Sequence, residues 1–152
     1  QRPCTCPPQL VSRYRRRISG PLLDRIDLFV DVPRVAYDKL AAAAKAEPSS
    51  AVAGRVQAAR ATQHERFAAP DGTPTTRLNA EMTPAQVRDF VQARLEAGSA
   101  DLLRVAVEQL NLSARSFHRL LKLGRTIADL AGSEVVGPAH VAESIQYRER
   151  VE

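Results

Sequence analysis

The sequence predicts a mainly α-helical protein: a helical bundle in the C-terminal half, preceded by a remnant of an α/β core that consists of one helix and one strand. The pair Thr83-Pro84 is typical of a helix start, because the threonine caps the helix and the proline fits its first turn. Residues 114–131 carry apolar side chains at helical spacing. Only residues 26–32 show the period-two alternation that is typical of a strand.

The N-terminal part begins with a predicted basic helix over residues 8–18, which Ser19-Gly20-Pro21 is expected to end. A short turn over residues 22–25 leads into the strand, IDLFVDV, which ends at Pro33. Four apolar residues share one face of this strand and predict that it is half-buried: Ile26, Leu28, Val30 and Val32. Because a single strand needs partners, we expect its sheet to lie outside this sequence or in another chain.

Helices are predicted over most of the remaining chain: 35–46, 49–67, 83–95, 100–110, 114–131 and 138–148. The expected N-caps are Ser49 or Ser50, Thr83, Ser99 and Ser113. Residues 68–79 are rich in Pro, Gly and Thr and predict a loop. The predicted inner face of helix 114–131 contains Phe117, Leu120, Leu121, Gly124, Ile127, Ala128 and Ala131. The missing side chain of Gly124 is expected to let another helix approach closely.

The composition fits one globular domain, or one domain and a piece of another, in 152 residues that are 44% hydrophobic and 26% charged. No stretch is apolar over the length that a transmembrane helix needs, and the N-terminus does not resemble a signal peptide. We therefore expect a cytoplasmic protein with no membrane partner. The first residue is Gln1 and the one methionine is Met82, which we interpret as the sign of a piece of a longer protein.

The net charge of +5 and the pI near 9.8 favour polyanionic partners such as nucleic acid or nucleotide phosphates. The basic side chains of Arg13, Arg15, Arg16 and Arg17 cluster around Tyr14. This cluster is a candidate DNA contact, because non-specific binding needs only charge that neutralises phosphates. The alternatives are a contact to a neighbouring subunit and a helix face that is merely exposed to solvent.

Cys4 and Cys6 form a C-x-C pair, which is a candidate half of a zinc site. Zinc usually takes four ligands, and the three histidines are distant in the sequence, so the site would need ligands from upstream. His118 and His140 are isolated and predict capping or packing roles.

Two further arginines are candidate phosphate ligands. Arg115 lies in the first turn of a predicted helix, where the helix dipole and the backbone amides favour an anion. Arg119 and Arg125 follow on the same helix and are interpreted as supporting or solvent-facing residues. Arg25 lies directly before the predicted strand; the simple interpretation is a salt bridge to Asp24 or Asp27.

Two segments carry a resemblance to a known family: RISGPLLDRIDLFVDVP, residues 17–33, and LNLSARSFHRLLKLGRTIADLAGSEVVGPAHVAESIQYR, residues 110–148. The chain resembles the C-terminal part of the magnesium-chelatase-like AAA+ ATPases of the ComM/YifB competence-protein type. The resemblance implies three parts: the end of the ATPase core (1–33), a helix-rich linker (34–82) and a helical lid (83–152).

The resemblance also implies a ring, a hexamer in the first instance, that hydrolyses ATP with Mg²⁺ and acts on DNA in branch migration during natural transformation. Arg25 matches the arginine finger that acts in trans on the neighbouring subunit, and Arg115 matches the sensor-2 arginine of the lid. Cys4 and Cys6 match the second half of a C-P-C-G…C-x-C pattern. The sequence contains neither a G-x-x-x-x-G-K-[ST] loop nor a Walker B acid run. We therefore expect the chain alone to be inactive and to hold no tightly bound cofactor.

Two other functions remain open at this stage. Residues 101–110 and 114–131, joined by a short turn, have the length of a helix-turn-helix pair, which suggests a stand-alone DNA-binding module. The motor subunit of a metal chelatase would share the ring mechanism and differ in substrate.

Overall fold

The computed structural model describes residues 4–23, 25–35, 37, 46–68 and 76–148. Within these residues the chain forms seven α-helices, which confirms the mainly α-helical prediction. They are α1 (Pro8–Arg15), α2 (Gly20–Leu23), α3 (Ser49–Arg66), α4 (Pro84–Phe90), α5 (Ser99–Gln109), α6 (Ala114–Leu130) and α7 (Pro138–Gln146). Two 3-10 turns cover Asn79–Glu81 and Gln92–Arg94. None of the helices in this part of the chain has the length and apolar character that crossing a bilayer requires.

Two predicted N-caps are confirmed. The backbone N–H of Gln86 donates to Thr83 Oγ1 (3.3 Å), and the Gln86 side chain accepts from the Thr83 backbone (2.9 Å), which completes a capping box at α4. At α6, Ser113 Oγ accepts from the backbone N–H of Ser116 (3.1 Å). These caps satisfy backbone donors that the first helical turn leaves without partners.

Other predicted helix ends are wrong by a few residues. Pro48 rather than a serine is the N-cap of α3, and Gly98, at φ +84°, precedes α5 in place of a Ser99 cap. The Ser99 hydroxyl instead donates to the carbonyl of Val136 (3.0 Å). Helix α4 ends at Phe90, where the predicted helix continued to about residue 95. Most of the predicted helix 35–46 and most of the predicted loop 68–79 lie outside the described residues.

Helix α6 is the centre of the bundle and contacts α3, α4 and α7, while α5 packs on α7. The buried core consists of Phe67, Met82, Val87, Val91, Leu103, Leu120, Leu121, Ala128, Val136 and Val141. The predicted inner face of α6 is confirmed except at Ala131, which is exposed beyond the helix end. Since Phe67 and Met82 belong to this core, the packed bundle begins before residue 83, whereas the sequence-based division placed 34–82 in a linker.

Gly124 lies at the contact between α6 and α7. A β-carbon added there would meet Val136 Cγ1 at 3.6 Å, Ser144 Oγ at 3.8 Å and the carbonyl oxygen of His140 at 3.9 Å. The close approach predicted from the sequence is therefore present. The space left is that of one methyl group in ordinary van der Waals contact.

A buried polar network joins α3 to α6. The Asp129 carboxylate accepts from Arg66 (Oδ1 2.5 Å, Oδ2 2.8 Å), from Asn79 Nδ2 (2.7 Å) and from Arg125 Nε (3.0 Å). The side chains of Arg125 and Asp129 are both 0% exposed. Burial acts to raise the pKa of Asp129, but hydrogen bonds from Arg66 and Asn79 and the charge of Arg125 lower that pKa below its ordinary value. The solvent-facing interpretation of Arg125 is therefore wrong.

Residues 26–32, which were predicted to form a strand with partners outside this sequence, form no strand in the described part of the chain. The one β-bridge in the described part of the chain joins Leu95 to Val136, and residues 26–32 form no ladder there. Val30 and Val32 are 66% and 88% exposed, so the predicted buried face is uncovered. The reason is physical: alternation creates a strand only when a neighbouring strand supplies backbone partners, and the described residues supply none.

The segment before residue 26 differs less from its prediction. The predicted basic helix ends early, at Arg15, and Gly20-Pro21 opens the one-turn helix α2 rather than only stopping the preceding one. Among the described residues from 4 to 35 none is buried.

Candidate functional site

A cleft of about 560 Å³ lies along the N-terminal half of α6. Its lining combines four α6 side chains with a carboxylate from the N-terminal segment: Arg115, His118, Arg119, Lys122 and Asp27. The remaining walls come from Leu28, Ala80, Pro84, Leu123 and Thr126. Three of these residues carry a positive charge and one a negative charge, so the cleft is cationic.

The cationic lining follows from the spacing of residues on α6. Positions 118, 119 and 122 follow position 115 by three, four and seven residues. Positions with these spacings lie on one face of a helix. Arg115, the sequence-predicted phosphate ligand, is exposed and occupies the first turn, where the positive end of the helix dipole adds to its charge. The sequence analysis did not place His118 and Lys122 in this site, although the same spacing could have indicated them.

Lys122 places a further positive charge in the cleft. Its Nζ donates to the carbonyl oxygen of Ala80 (2.9 Å), which fixes the ammonium at the wall of the cleft. Burial lowers the pKa of Lys122; the charge of Asp27 opposes this, and the charges of Arg119 and Arg115 add to it. A second negative charge in the cleft would relieve this repulsion.

His118 borders the same cleft, and its Nδ1 is buried from solvent. That nitrogen has no hydrogen-bond partner among the described residues. The ring packs edge-on against Phe117, with centroids 5.9 Å apart, which agrees with the predicted packing role. His140, in contrast, accepts at Nδ1 from the backbone N–H of Gly137 (3.1 Å), which confirms its predicted capping role.

The N-terminal segment closes one side of the cleft. Arg119 Nε lies 2.9 Å from Asp27 Oδ1, and the two side chains are 18% and 60% exposed. Two backbone contacts flank this ion pair: Arg148 NH1 donates to the carbonyl of Ile26 (3.4 Å), and the Phe29 N–H donates to the carbonyl of Tyr147 (2.8 Å). Arg119 is therefore a pairing residue and not a solvent-facing one.

Arg25 lies two residues before Asp27 and outside the lining of the cleft. Its side chain is exposed, and its backbone N–H donates to the carbonyl of Leu22 (3.0 Å) at the end of α2. Of the two acids considered as its salt-bridge partners, Asp27 pairs with Arg119, and Asp24 lies outside the described residues. Arg25 is therefore not among the residues that line the cleft with Arg115.

The cysteine pair is exposed and neither thiol forms a disulfide. Hydrogen bonds from Cys6, first from its backbone and then from its side chain, lower the pKa of the Cys4 thiol. Within the described residues no group of three or more His, Cys, Asp or Glu side chains could hold a metal ion. The half zinc site at Cys4 and Cys6 stays a prediction.

The basic cluster is also fully on the surface. Arg13, Arg15, Arg16 and Arg17 are all exposed, and α1 has no buried residue. Arg13 and Arg16 border a shallow groove together with Pro8, Gln9 and Ser12. The charges at the C-terminal end of α1 are favourable for the helix dipole, so they stabilise this helix whether or not an anion binds.

The described part of the chain is thus a helical bundle with a cationic cleft along its central helix, bordered by the segment around Asp27. Comparison with protein families is more specific. Residues 46–148 match the family described as magnesium chelatase, subunit ChlI C-terminal, and residues 1–40 match that of magnesium chelatase, subunit ChlI. The chain belongs to the magnesium chelatase subunit ChlI C-terminal family.

Curated relatives agree with this assignment. The chain is 36% identical to YifB of Escherichia coli over 144 residues, which are 94% of this chain and 26% of YifB. It is 36% identical to the competence protein ComM of Haemophilus influenzae over 146 residues, 95% of this chain and 26% of ComM. A Mycobacterium tuberculosis protein is 35% identical over 147 residues, 96% of this chain and 28% of that protein. The chain spans about a quarter of the length of these relatives.

Proposed function

We propose that this chain is the lid-bearing segment of a ring-forming AAA+ ATPase that moves DNA, as a competence protein of the ComM type would. The similarity to ComM, a protein named for competence, supports the proposal that the chain acts in competence. The single observation that carries the proposal is the cationic cleft, in which Arg115, Arg119 and Lys122 face one space along α6.

The residues of the cleft fit a nucleotide phosphate. Arginine stays charged and donates in a planar fork that matches phosphate oxygens, and lysine adds a point charge. In this proposal Arg115 binds the γ-phosphate of the subunit's own ATP, and its position in the first helical turn adds backbone dipoles to that attraction.

When bound, ATP with Mg²⁺ would supply the phosphoanhydride whose hydrolysis drives the motor. Phosphoryl transfer spreads negative charge over the γ-phosphate oxygens, so an arginine that reaches them from the neighbouring subunit accelerates the reaction. The exposed Arg25, whose backbone is fixed at the end of α2, is suited to this role in trans. Arg25 does not line the cleft, which agrees with the proposal that Arg115 acts on its own subunit's nucleotide and Arg25 on the neighbour's.

The test uses the full-length protein that carries this chain. We expect Arg25→Ala to lower steady-state ATP hydrolysis by a factor on the order of 10³, the lower end of the range for arginine fingers. Mixing this variant with one that lacks the upstream phosphate-loop lysine should restore part of the turnover, because each variant supplies what the other lacks. Arg34→Ala, a change of the same kind at an exposed arginine, is the matched control and should keep normal turnover.

Normal hydrolysis by Arg25→Ala would overturn the finger role. Loss without restoration on mixing would show that Arg25 serves its own subunit or only stability. DNA translocation is tested separately: replacing Arg13, Arg15, Arg16 and Arg17 by Gln should weaken DNA binding and reduce its salt dependence, since each phosphate contact releases counterions. Unchanged salt dependence would remove this cluster from the DNA path.

The stand-alone helix-turn-helix function is less favoured by the packing. Helices α5 and α6 both pack on α7, and the N-terminal half of α6 faces the segment around Asp27. A recognition helix needs that half open to the major groove. A metal-chelatase motor shares every residue role above; DNA-stimulated hydrolysis in the full-length protein would favour the DNA motor, and its absence the chelatase.

A further inference from the structure

We propose that Asp27 is a positioning residue. Its ion pair with Arg119 ties the turn that carries Arg25 to the helical bundle. Phosphate binding in one subunit then sets the position of Arg25 toward the next subunit. This inference rests on the proposed function, since it concerns how the two arginine sites communicate. It assigns a role to Asp27 and connects the phosphate cleft to Arg25.

The geometry that carries the proposal is a three-point attachment within four residues. The carbonyl of Ile26 accepts from Arg148, the Asp27 carboxylate pairs with Arg119, and the N–H of Phe29 donates to Tyr147. Arg148 also donates to Ser116 Oγ (2.9 Å), so the same side chain bridges the segment to α6. The attachment fixes the backbone directly after Arg25.

Arg25 is also bonded to the end of α2. The N–H groups of Arg25 and Ile26 donate to the carbonyls of Leu22 and Leu23 at distances of 3.0 Å. Arg25 therefore sits in a short turn whose far side is held by the bundle. A displacement of α6 relative to α2 has to be taken up across this turn, which moves the exposed guanidinium of Arg25.

Arg119 connects this turn to the cleft. It lies one helical turn after Arg115 and one before Lys122 in the same lining, while its Nε pairs with Asp27. A phosphate that enters the cleft competes with the Asp27 carboxylate for the guanidinium, because both are anions that prefer the same donors. Phosphate binding thus changes the restraint on residues 26–29, and through them the restraint on Arg25.

Steady-state kinetics of the full-length protein test the proposal. We expect Asp27→Asn to lower kcat on the order of 10- to 100-fold, as a displacement of about 1 Å at a catalytic group does. KM for ATP should not rise, because the carboxylate no longer competes with phosphate for Arg119. Asp27→Glu should recover part of the loss in kcat. Asp31→Asn, which removes the same charge from an exposed position in the same segment, is the control and should be normal.

A structural role would give different results. It would reduce kcat together with thermal stability, whereas the positioning role predicts a loss of kcat with unchanged thermal stability. Mixing separates the two sites: Asp27→Asn subunits combined with Arg115→Ala subunits should regain turnover, because the latter present a correctly held Arg25 to the intact cleft of the former. Absence of recovery would mean that Asp27 serves its own subunit's nucleotide, and would overturn the inference.

Hydrogen exchange gives a readout that does not depend on hydrolysis. In Asp27→Asn the amide of Phe29 should exchange faster while the amides of α6 stay unchanged, since the ion pair and the Phe29–Tyr147 bond hold one segment. If Arg25→Ala is active, the proposed function fails. If Arg25→Ala is inactive but Asp27→Asn has normal kcat and normal Phe29 exchange, only the inference about Asp27 fails.

Discussion

Asp129 is the common acceptor of the buried polar network between α3 and α6. It accepts hydrogen bonds from Arg66, Asn79 and Arg125, and the side chain of Arg125 is fully buried. Replacing one partner of a buried ion pair leaves the other charge without compensation. We expect Asp129→Ala to lower the free energy of unfolding by about 3–5 kcal/mol in urea titrations.

The control for this prediction is Asp101→Ala. Asp101 pairs with Arg104 on the surface of α5, where its side chain is 78% exposed. Water screens such a pair, so the loss should stay within about 0.5 kcal/mol. Equal losses in the two variants would mean that the buried network contributes no more than a surface pair.

The acid sensitivity of the protein should depend on the same carboxylate. Because the pKa of Asp129 is lower in the folded than in the unfolded chain, its contribution is complete above the unfolded pKa of about 3.9 and is lost as the pH falls through the folded pKa. The difference in unfolding free energy between wild type and Asp129→Asn should therefore be smaller at about pH 3 than at about pH 6. A difference that is constant over this range, measured by urea unfolding, would contradict the direction of the shift.

At the scale of the helices, Gly124 lies at the contact between α6 and α7. The nearest atom to an added β-carbon is at 3.6 Å, so Gly124→Ala should fit and should stabilise the helix by about 0.5–1 kcal/mol through its better propensity. Gly124→Val adds two more methyl groups against Ser144 and His140 and should destabilise by about 1–3 kcal/mol. Thermal unfolding of the two variants checks both signs; destabilisation by alanine would mean that the helices cannot shift even slightly.

The helices of the bundle were largely predictable because their signals are local. Caps such as Thr83 and Ser113, and the apolar spacing on α6, involve residues within two turns of one another. The strand at 26–32 was not predictable in the same way, because its formation depends on partner strands and not on its own alternation. The contact between Asp27 and Arg119 spans 92 positions and leaves no pattern in either segment, whereas the face formed by Arg115, His118 and Lys122 could have been found from spacing alone.

At the scale of the whole molecule, the protection of backbone amides from hydrogen exchange should differ between the N-terminal segment and the bundle. Residues 83–148 contain most of the buried core, whereas none of the described residues from 4 to 35 is buried. We therefore expect the amides of residues 8–33 to exchange faster than those of 83–148 in hydrogen-exchange experiments on this chain. Uniformly slow exchange across both regions would contradict this expectation and would indicate that the N-terminal segment docks more firmly than its burial suggests.

The hydrogen bond between Phe29 and Tyr147 gives the last residues of the chain an unexpected importance. Tyr147 and Arg148 follow the final described helix and add nothing to the buried core, so removing the chain beyond Gln146 would leave the seven described helices complete. We expect little change by circular dichroism or in a melting curve. Two of the three points that hold residues 26–29 would nevertheless be lost, and with them the restraint that we propose for Arg25, which lies 122 positions before Tyr147.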